Sequence, residues 1–526
     1  MLENAIVTWL ESLSERGLDQ PLLALLRAQG FHDVHLVHGA SEFGRDFIAK
    51  RSDNGTLRQY ALQSKSGDLG VRGWREVRLQ IDSIRTGGLS HPSFDAQLPR
   101  VAVLVTTGRL VGDARLEAQA YALQYAREMT FETWDVDRLV ELIVSRPEAA
   151  LAGREVGALM QTLGGADARE LDARAVERFA RRWIPDDGEL VQGADVIEAA
   201  VLCGRLATTD RLDLACLAAL GLLRAAAVGI WAADRTDTDA AVGLHAATAL
   251  FVDHAENLWA RCDEELLRPV PFVNRHAEFG FFATYSVRCA RTVELLSLLA
   301  LWQDGADGHD PTPLREWLSR FVAGQPGTAH PLSDLYGVSL LAPAVLLAED
   351  RALVETWLRA TVVWLADRYE EPLLGLGGVD AAPEEEVGYL LSALEHIDLP
   401  RRRDSYLATV LLDLLCALEL RDLYSDTRHE LDAVDARPLL LHLPDSPAAL
   451  KRDGAGIEQE IGPPYADAMP EDDWAAAPHQ REAQATWLER AGYGWVALAC
   501  ASVLRDRHDV GLIRRMMLLR ASAPDS

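Results

Sequence analysis

Two periodicities divide this chain. Up to about residue 145, apolar positions switch between the three-to-four spacing of helices and the two-residue spacing or short continuous runs of strands. "MLENAIVTWLESL" and "QPLLALLRAQGF" have helical spacing, with Pro21 suited to a first turn. "HDVHLVHG", "RDFIAKRS" and "LRQYALQSK" alternate as strands, the last two joined at Asn54-Gly55, a two-residue hairpin signal. A helix over Val71–Arg85 and a polar loop follow. "VAVLVTTG" is a continuous apolar run, as in a strand covered on both faces. Then come a helix with Asp113 as its expected N-cap, a strand "TFETW" and a helix "DVDRLVELIVSR". Beyond residue 150 the strand signal largely disappears. Ala, Leu, Arg and Glu form amphipathic runs broken by Pro, Gly and Asp clusters. The pattern predicts an α/β N-terminal domain, residues 1–147, and a large all-α region, residues 148–526, of helical hairpins stacked as a solenoid or bundle. The polar stretch "DLYSDTRHELD" is expected as a surface loop. Phe279, Phe282 and Tyr285 are expected as a buried helical stripe.

The hairpin places chemistry in the pattern. If Asn54 and Gly55 are the two loop residues of a type I′ turn, facing residues have numbers that sum to 109, so Asp46 faces Gln63. Lys65 lies two residues on and shares that face. A carboxylate, an amide and an ammonium therefore converge. The oxygens suit a hard dication such as magnesium, and the ammonium suits charge developing on a phosphoryl group. The alternative is a solvated edge with ordinary polar residues.

Composition narrows the class. The 526 residues exceed one ordinary core, and 49% hydrophobic with 25% charged residues is that of a soluble globular protein. The longest apolar runs look too short to cross a bilayer, and the N-terminus lacks a signal-peptide pattern. Six scattered cysteines without a C-x-x-C pair suggest buried thiols in a reducing cytoplasm. Net charge is −28, which excludes a generally basic nucleic-acid coat. The charge is uneven: residues 1–145 hold 16 Lys+Arg and 19 Asp+Glu, net −3, leaving −25 for the remainder. Lysine occurs only at 50, 65 and 451, against 49 arginines.

With these pieces in order, the first 145 residues resemble the PD-(D/E)xK nuclease superfamily, specifically its Mrr-like restriction-endonuclease domain. Gly30-Phe31 after the first core helix, "HGASEFGRDFIA", "LQSKSG" as a Q-x-K variant, "VLVTTGRL" and "WDVDRLVELI" carry the resemblance. It implies a restriction-endonuclease-like fold and a metal-dependent endonuclease, with DNA as substrate and RNA as the alternative, in a bacterial defence or restriction setting. It implies Mg2+ or Mn2+ as cofactor, Asp46 and Gln63 at the metal and Lys65 as the catalytic lysine. Glu42 matches an acid often found four residues before the aspartate, and would reach the metal only through a bend at Gly44. The usual acid of the first core helix is missing from "PLLALLRAQ"; Glu11 and Glu15 lie upstream of it.

Other features are less specific. Arg72, Arg75, Arg78 and Arg85 recur near helical spacing; they suit backbone phosphates or a solvated helix face equally. Ser64, Ser66 and Gly67 flank the site and offer backbone donors. Thr106, Thr107 and Gly108 suit a turn. His32, His35 and His38 complete no zinc pattern. No lysine follows a glycine, so there is no P-loop. The acidic helical region is expected to sense a protein partner or small-molecule signal or to oligomerise, with a homo-oligomer expected and no membrane partner. The rival reading is a non-enzymatic interaction protein that retains a nuclease-like scaffold.

Overall fold

A computed structural model describes residues 2–37, 45–87, 91–154, 157–167, 172–186, 188–233, 238–270, 273, 281–306, 308–379, 381–392, 399–441, 459–461 and 495–504. The chain divides into two compact units. One comprises residues 1–167 with 192–204, the other residues 168–191 with 205–526.

The first unit is built on a five-stranded sheet. Its elements are α1 (Leu2–Ser12), α2 (Asp19–Ala28), β1 (His32–Leu36), β2 (Phe47–Asp53), β3 (Thr56–Lys65), α3 (Val71–Thr86), β4 (Arg100–Thr106), α4 (Asp113–Tyr125), β5 (Thr130–Trp134) and α5 (Val136–Ser145). Strand order follows the sequence; β1 to β3 are antiparallel, and β3 to β5 are parallel. Residues Phe47 to Asp53 pair with Leu62 to Thr56, every pair summing to 109. The cause is local: Asn54 and Gly55 have φ of 50° and 80°, the two left-handed residues of a type I′ turn.

Both faces of the sheet are covered. On one, Ala61, Ala102 and Leu104 meet Trp74, Val77, Ile81 and Ile84 of α3 and Ala114, Ala118 and Tyr121 of α4. On the other, Phe31 stands edge-on to Tyr60 and Trp134, α2 packs on β1 and α1 on α5. Gly30, at φ 81°, ends α2 and turns the chain back, so that the Phe31 N–H donates to the Leu26 carbonyl. The N-cap of α4 is Gly112 at φ 59°, with Asp113 one residue inside the helix, a shift from the sequence expectation.

The second unit is mostly helical, with three departures from the sequence reading. Leu212–Ile230, within the helix Leu212–Ala233, is long and apolar enough to cross a membrane (mean hydropathy 1.8), but 89% of it is buried, as in a core helix. "DLYSDTRHELD" lies in a helix, Arg421–Ala433, whose Leu423, Tyr424, Thr427 and Leu431 face inward. A small sheet joins Asp404–Ser405, Arg437–Leu441 and Gln459–Ile461. Tyr285 is partly buried in the helix Phe281–Asp304, its hydroxyl donating to Gln325 Oε1. Phe279 and the Phe282 side chain lie outside the described residues.

Candidate active site

Asp46 precedes β2 and is fixed through its main chain from both sides. Its N–H donates to the Leu62 carbonyl at 2.9 Å, and its carbonyl accepts from Val37 N–H at 2.8 Å. The side chain is buried. Its Oδ2 accepts from Gln63 Nε2 at 2.6 Å, from the Ser64 N–H at 2.6 Å and from the Ser64 hydroxyl at 2.9 Å. Burial pushes the Asp46 carboxyl above the ordinary carboxylate range. The two Ser64 hydrogen bonds and the Lys65 ammonium pull it back, and the neighbouring Glu15 charge pushes it up.

Lys65 ends β3, paired with Thr106 of β4. Its Nζ donates to Glu15 Oε1 at 2.9 Å, both groups being partly exposed. Glu15 opens a short 3-10 turn, Glu15–Leu18, whose preceding Ser14 accepts from Gly17 N–H. Glu15 is thus the upstream acid, of the two in the sequence, that meets Lys65.

The loops after β3 and β4 are zipped together beside Lys65. Thr106 Oγ1 donates to the Gly67 carbonyl at 2.7 Å, and the Gly67 N–H donates to Thr107 Oγ1 at 2.9 Å. Thr107 N–H donates to the Lys65 carbonyl, Arg109 N–H to Asp68 Oδ1 and Leu69 N–H to the Arg109 carbonyl. A Cβ on Gly108 would run into the main chain of Gly67 and Asp68. The "TTG" turn therefore works as a clamp on the loop that leaves Lys65.

Arg45, next to Asp46, is wholly buried and donates to the Ser83 and Gly87 carbonyls at the end of α3. Arg100 donates to the Ile84, Arg85 and Gly87 carbonyls. The two guanidiniums satisfy carbonyls that a helix end leaves open. Burial and the Arg100 charge lower the Arg45 pKa to about 10.

The arginines of α3 carry partners of their own. Arg72 pairs with Glu76 at 3.2 Å, and Arg75 forms a two-pronged bond to Glu117 at 2.6 and 3.3 Å. Arg78 lies 3.9 Å from Asp82 and over the Tyr121 ring; Arg85 pairs with Glu128 at 2.6 Å and lies over Tyr125. Arg75, Arg78 and Arg85 link α3 to α4. Glu42 and His38 lie outside the described residues. His35 Nε2 lies 2.9 Å from the Ser93 hydroxyl, and the His35 and His91 rings adjoin.

A family model described as restriction endonuclease, of the Mrr catalytic type, matches residues 10–143. These residues form a restriction-endonuclease domain. No curated protein and no solved structure matches the chain. Restriction-endonuclease domains act on DNA and generally use divalent metals. The donor set here fits such an ion. Among the described residues no three His, Cys, Asp or Glu side chains gather as a metal site. A dication would take the Asp46 carboxylate with oxygens of another kind, such as the Gln63 amide, main-chain carbonyls and water, which is a hard-oxygen set. The structure brings Asp46, Gln63 and Lys65, the residues singled out in the sequence, to one end of the hairpin; Ser64 was expected there as a backbone donor and Glu15 as an acid upstream of α2, whereas the Ser64 hydroxyl bond, buried Arg45 and the Lys65–Glu15 pairing had no sequence signal.

Proposed function

We propose that the restriction-endonuclease domain hydrolyses phosphodiester bonds of DNA with Mg2+ or Mn2+ held by Asp46 and Gln63. The observation that carries this reading is the convergence of Asp46, Gln63 and the Lys65–Glu15 pair at the end of the β2–β3 hairpin. A bound dication supplies Lewis-acid polarisation of the phosphate. Asp46 provides the anionic hold, fixed by its main-chain bonds and by Ser64. Gln63 offers its amide oxygen, since its nitrogen is the end turned to Asp46. Lys65 places an ammonium where charge develops on the reacting phosphate, and Glu15 keeps that ammonium in place until substrate competes for it. Glu42 is a further candidate ligand by its position in the sequence.

The Arg72, Arg75, Arg78 and Arg85 row is the candidate phosphate-contacting surface, and DNA would have to exchange for Glu76, Glu117, Asp82 and Glu128. We assign residues 1–147 to catalysis and 148–526 to regulation in a bacterial defence setting, through a partner, a small-molecule signal or self-association. The net −25 outside the first 145 residues opposes non-specific DNA contact there. Six cysteines scattered without a C-x-x-C pair suit the cytoplasm.

The test is incubation with plasmid, linear duplex, single-stranded DNA and RNA, with and without Mg2+ or Mn2+, for wild type and Asp46→Ala. Metal-dependent DNA cleavage lost in Asp46→Ala supports the reading. Cleavage of RNA alone would replace the substrate. No cleavage, together with unchanged magnesium binding in Asp46→Ala, would leave the domain as an interaction scaffold.

A further inference from the structure

Asp46 Oδ2 is crowded. A carboxylate has about four lone-pair sites over two oxygens, and here three donors aim at one of them. Two of the three come from Ser64, through main chain and side chain together. Ser64 is the middle residue of Gln63-Ser64-Lys65, and it is 1% exposed. Its hydroxyl is turned to the carboxylate although the strand amide already reaches the same oxygen. A third donor on a filled oxygen adds little to folding, since the carboxylate has its other oxygen for solvent or a cation. It does fix the rotation of the carboxylate. With Oδ2 held, Oδ1 is the oxygen Asp46 can offer.

We propose that Ser64 is a positioning residue for the cation site, holding Asp46 Oδ2 so that Asp46 binds a dication through Oδ1 alone. The proposal rests on the reading of Asp46 as a metal ligand. It gives Ser64 a task distinct from that of Gln63. Gln63 both bonds Oδ2 through its nitrogen and offers its oxygen, whereas Ser64 bonds Oδ2 through main chain and side chain and serves as the hold alone. One-oxygen coordination also suits magnesium, which demands near-ideal octahedral geometry, better than it suits calcium, which accepts two oxygens of one carboxylate.

Magnesium titration by calorimetry on the full chain, without DNA, tests this in wild type, Ser64→Ala, Ser64→Thr and Asp46→Ala. Ser64→Ala should weaken magnesium binding about three- to tenfold, below the roughly 10–100-fold usual for a residue that holds a metal ligand, because the Ser64 amide still donates. Ser64→Thr, which keeps the hydroxyl, should restore most of that loss. Calcium affinity should fall less, since an Oδ2 with one donor fewer is less fixed and can turn to serve as a second calcium ligand. Thermal melting checks that each variant is folded; if Ser64→Thr proves too large for its buried site, the magnesium-to-calcium ratio of Ser64→Ala decides. Wild-type magnesium affinity and an unchanged ratio in Ser64→Ala, with binding lost in Asp46→Ala, would overturn the role of Ser64 and keep the metal site. Equal magnesium binding in wild type and Asp46→Ala would overturn the metal site itself.

Discussion

At the scale of single residues, the site joins two pairs with different tasks. Asp46 is locked, while Lys65 is held by one ion pair at a partly exposed edge. A partly exposed ion pair contributes about 0–1 kcal/mol, so under the proposed function Lys65 can exchange Glu15 for substrate at small cost to the fold. Lys65→Ala should therefore lower turnover about 10²–10³-fold, the range for losing one charge-stabilising donor, with an unchanged melting temperature. Lys65→Arg should not restore it, because the guanidinium is larger and planar and effectively never loses its proton. Single-turnover cleavage with a parallel melt checks both; wild-type rates in Lys65→Arg would remove the specific need for lysine. Glu15→Ala should also slow cleavage while leaving melting unchanged, and full activity would reduce Glu15 to a surface partner. The approach of Asp46 to Gln63 was legible in the sequence because a two-residue turn fixes cross-strand register arithmetically; the ladder keeps that register up to Phe47 and Leu62, and the Gln63 side chain closes the remaining step to Asp46. The Glu15–Lys65 contact was not, because fifty residues separate the pair and only tertiary folding closes that distance.

At the scale of elements, the clamp between the loops after β3 and β4 decides where Lys65 ends up. Two of its glycines are there for different reasons, and the difference is measurable. Gly67 has φ 71° with open space around its Cα, so Gly67→Ala pays only backbone strain, about 1–2 kcal/mol. Gly108 lies against the main chain of Gly67 and Asp68, which cannot step aside as a flexible side chain would. Gly108→Ala should cost about 1–3 kcal/mol by overpacking and should also lower cleavage, because the loop leaving Lys65 must move. Urea unfolding and a cleavage assay on both variants check this; a Gly108→Ala protein with wild-type activity would detach the clamp from the site. The same contrast explains what sequence reasoning could see. The hairpin, the continuous apolar run of β4 and the α5 start at Asp135, which accepts from the Arg138 N–H, carry their signals locally. The sheet of the second unit uses strands of two, five and three residues, too short to show a two-residue period. The helix Arg421–Ala433 buries only four of its residues, so its polar surface resembled a loop.

At the scale of the molecule, the second unit sets a charged network inside an Ala- and Leu-rich helical core. Arg291 pairs with Glu294 at 3.1 Å and lies 3.7 Å from Glu177. Arg174 pairs with Glu386 at 3.0 Å, and Ser333 and Ser339 donate to Glu386 and Glu294. Apolar helices of similar side chains can slide past one another; paired charges have one satisfied arrangement. Glu177 faces the charges of Arg291, Arg181, Arg224 and Arg174, and also that of Glu294, yet burial outweighs the arginines and raises its carboxyl to about 7. A carboxyl raised in the folded state binds its proton more tightly there than in the unfolded chain. Its contribution to stability is therefore full below about pH 4.5 and is lost as pH rises through about 7. Glu177→Gln keeps the shape and removes the titration. It should flatten the loss of protection between pH 5 and 8, read by hydrogen exchange along the helix Phe281–Asp304 after correction for the intrinsic pH dependence of exchange. Local exchange is the better measure because a chain of two compact units need not unfold in one step. If wild type and Glu177→Gln lose protection in parallel across that range, the buried carboxyl is not what couples the helical core to pH.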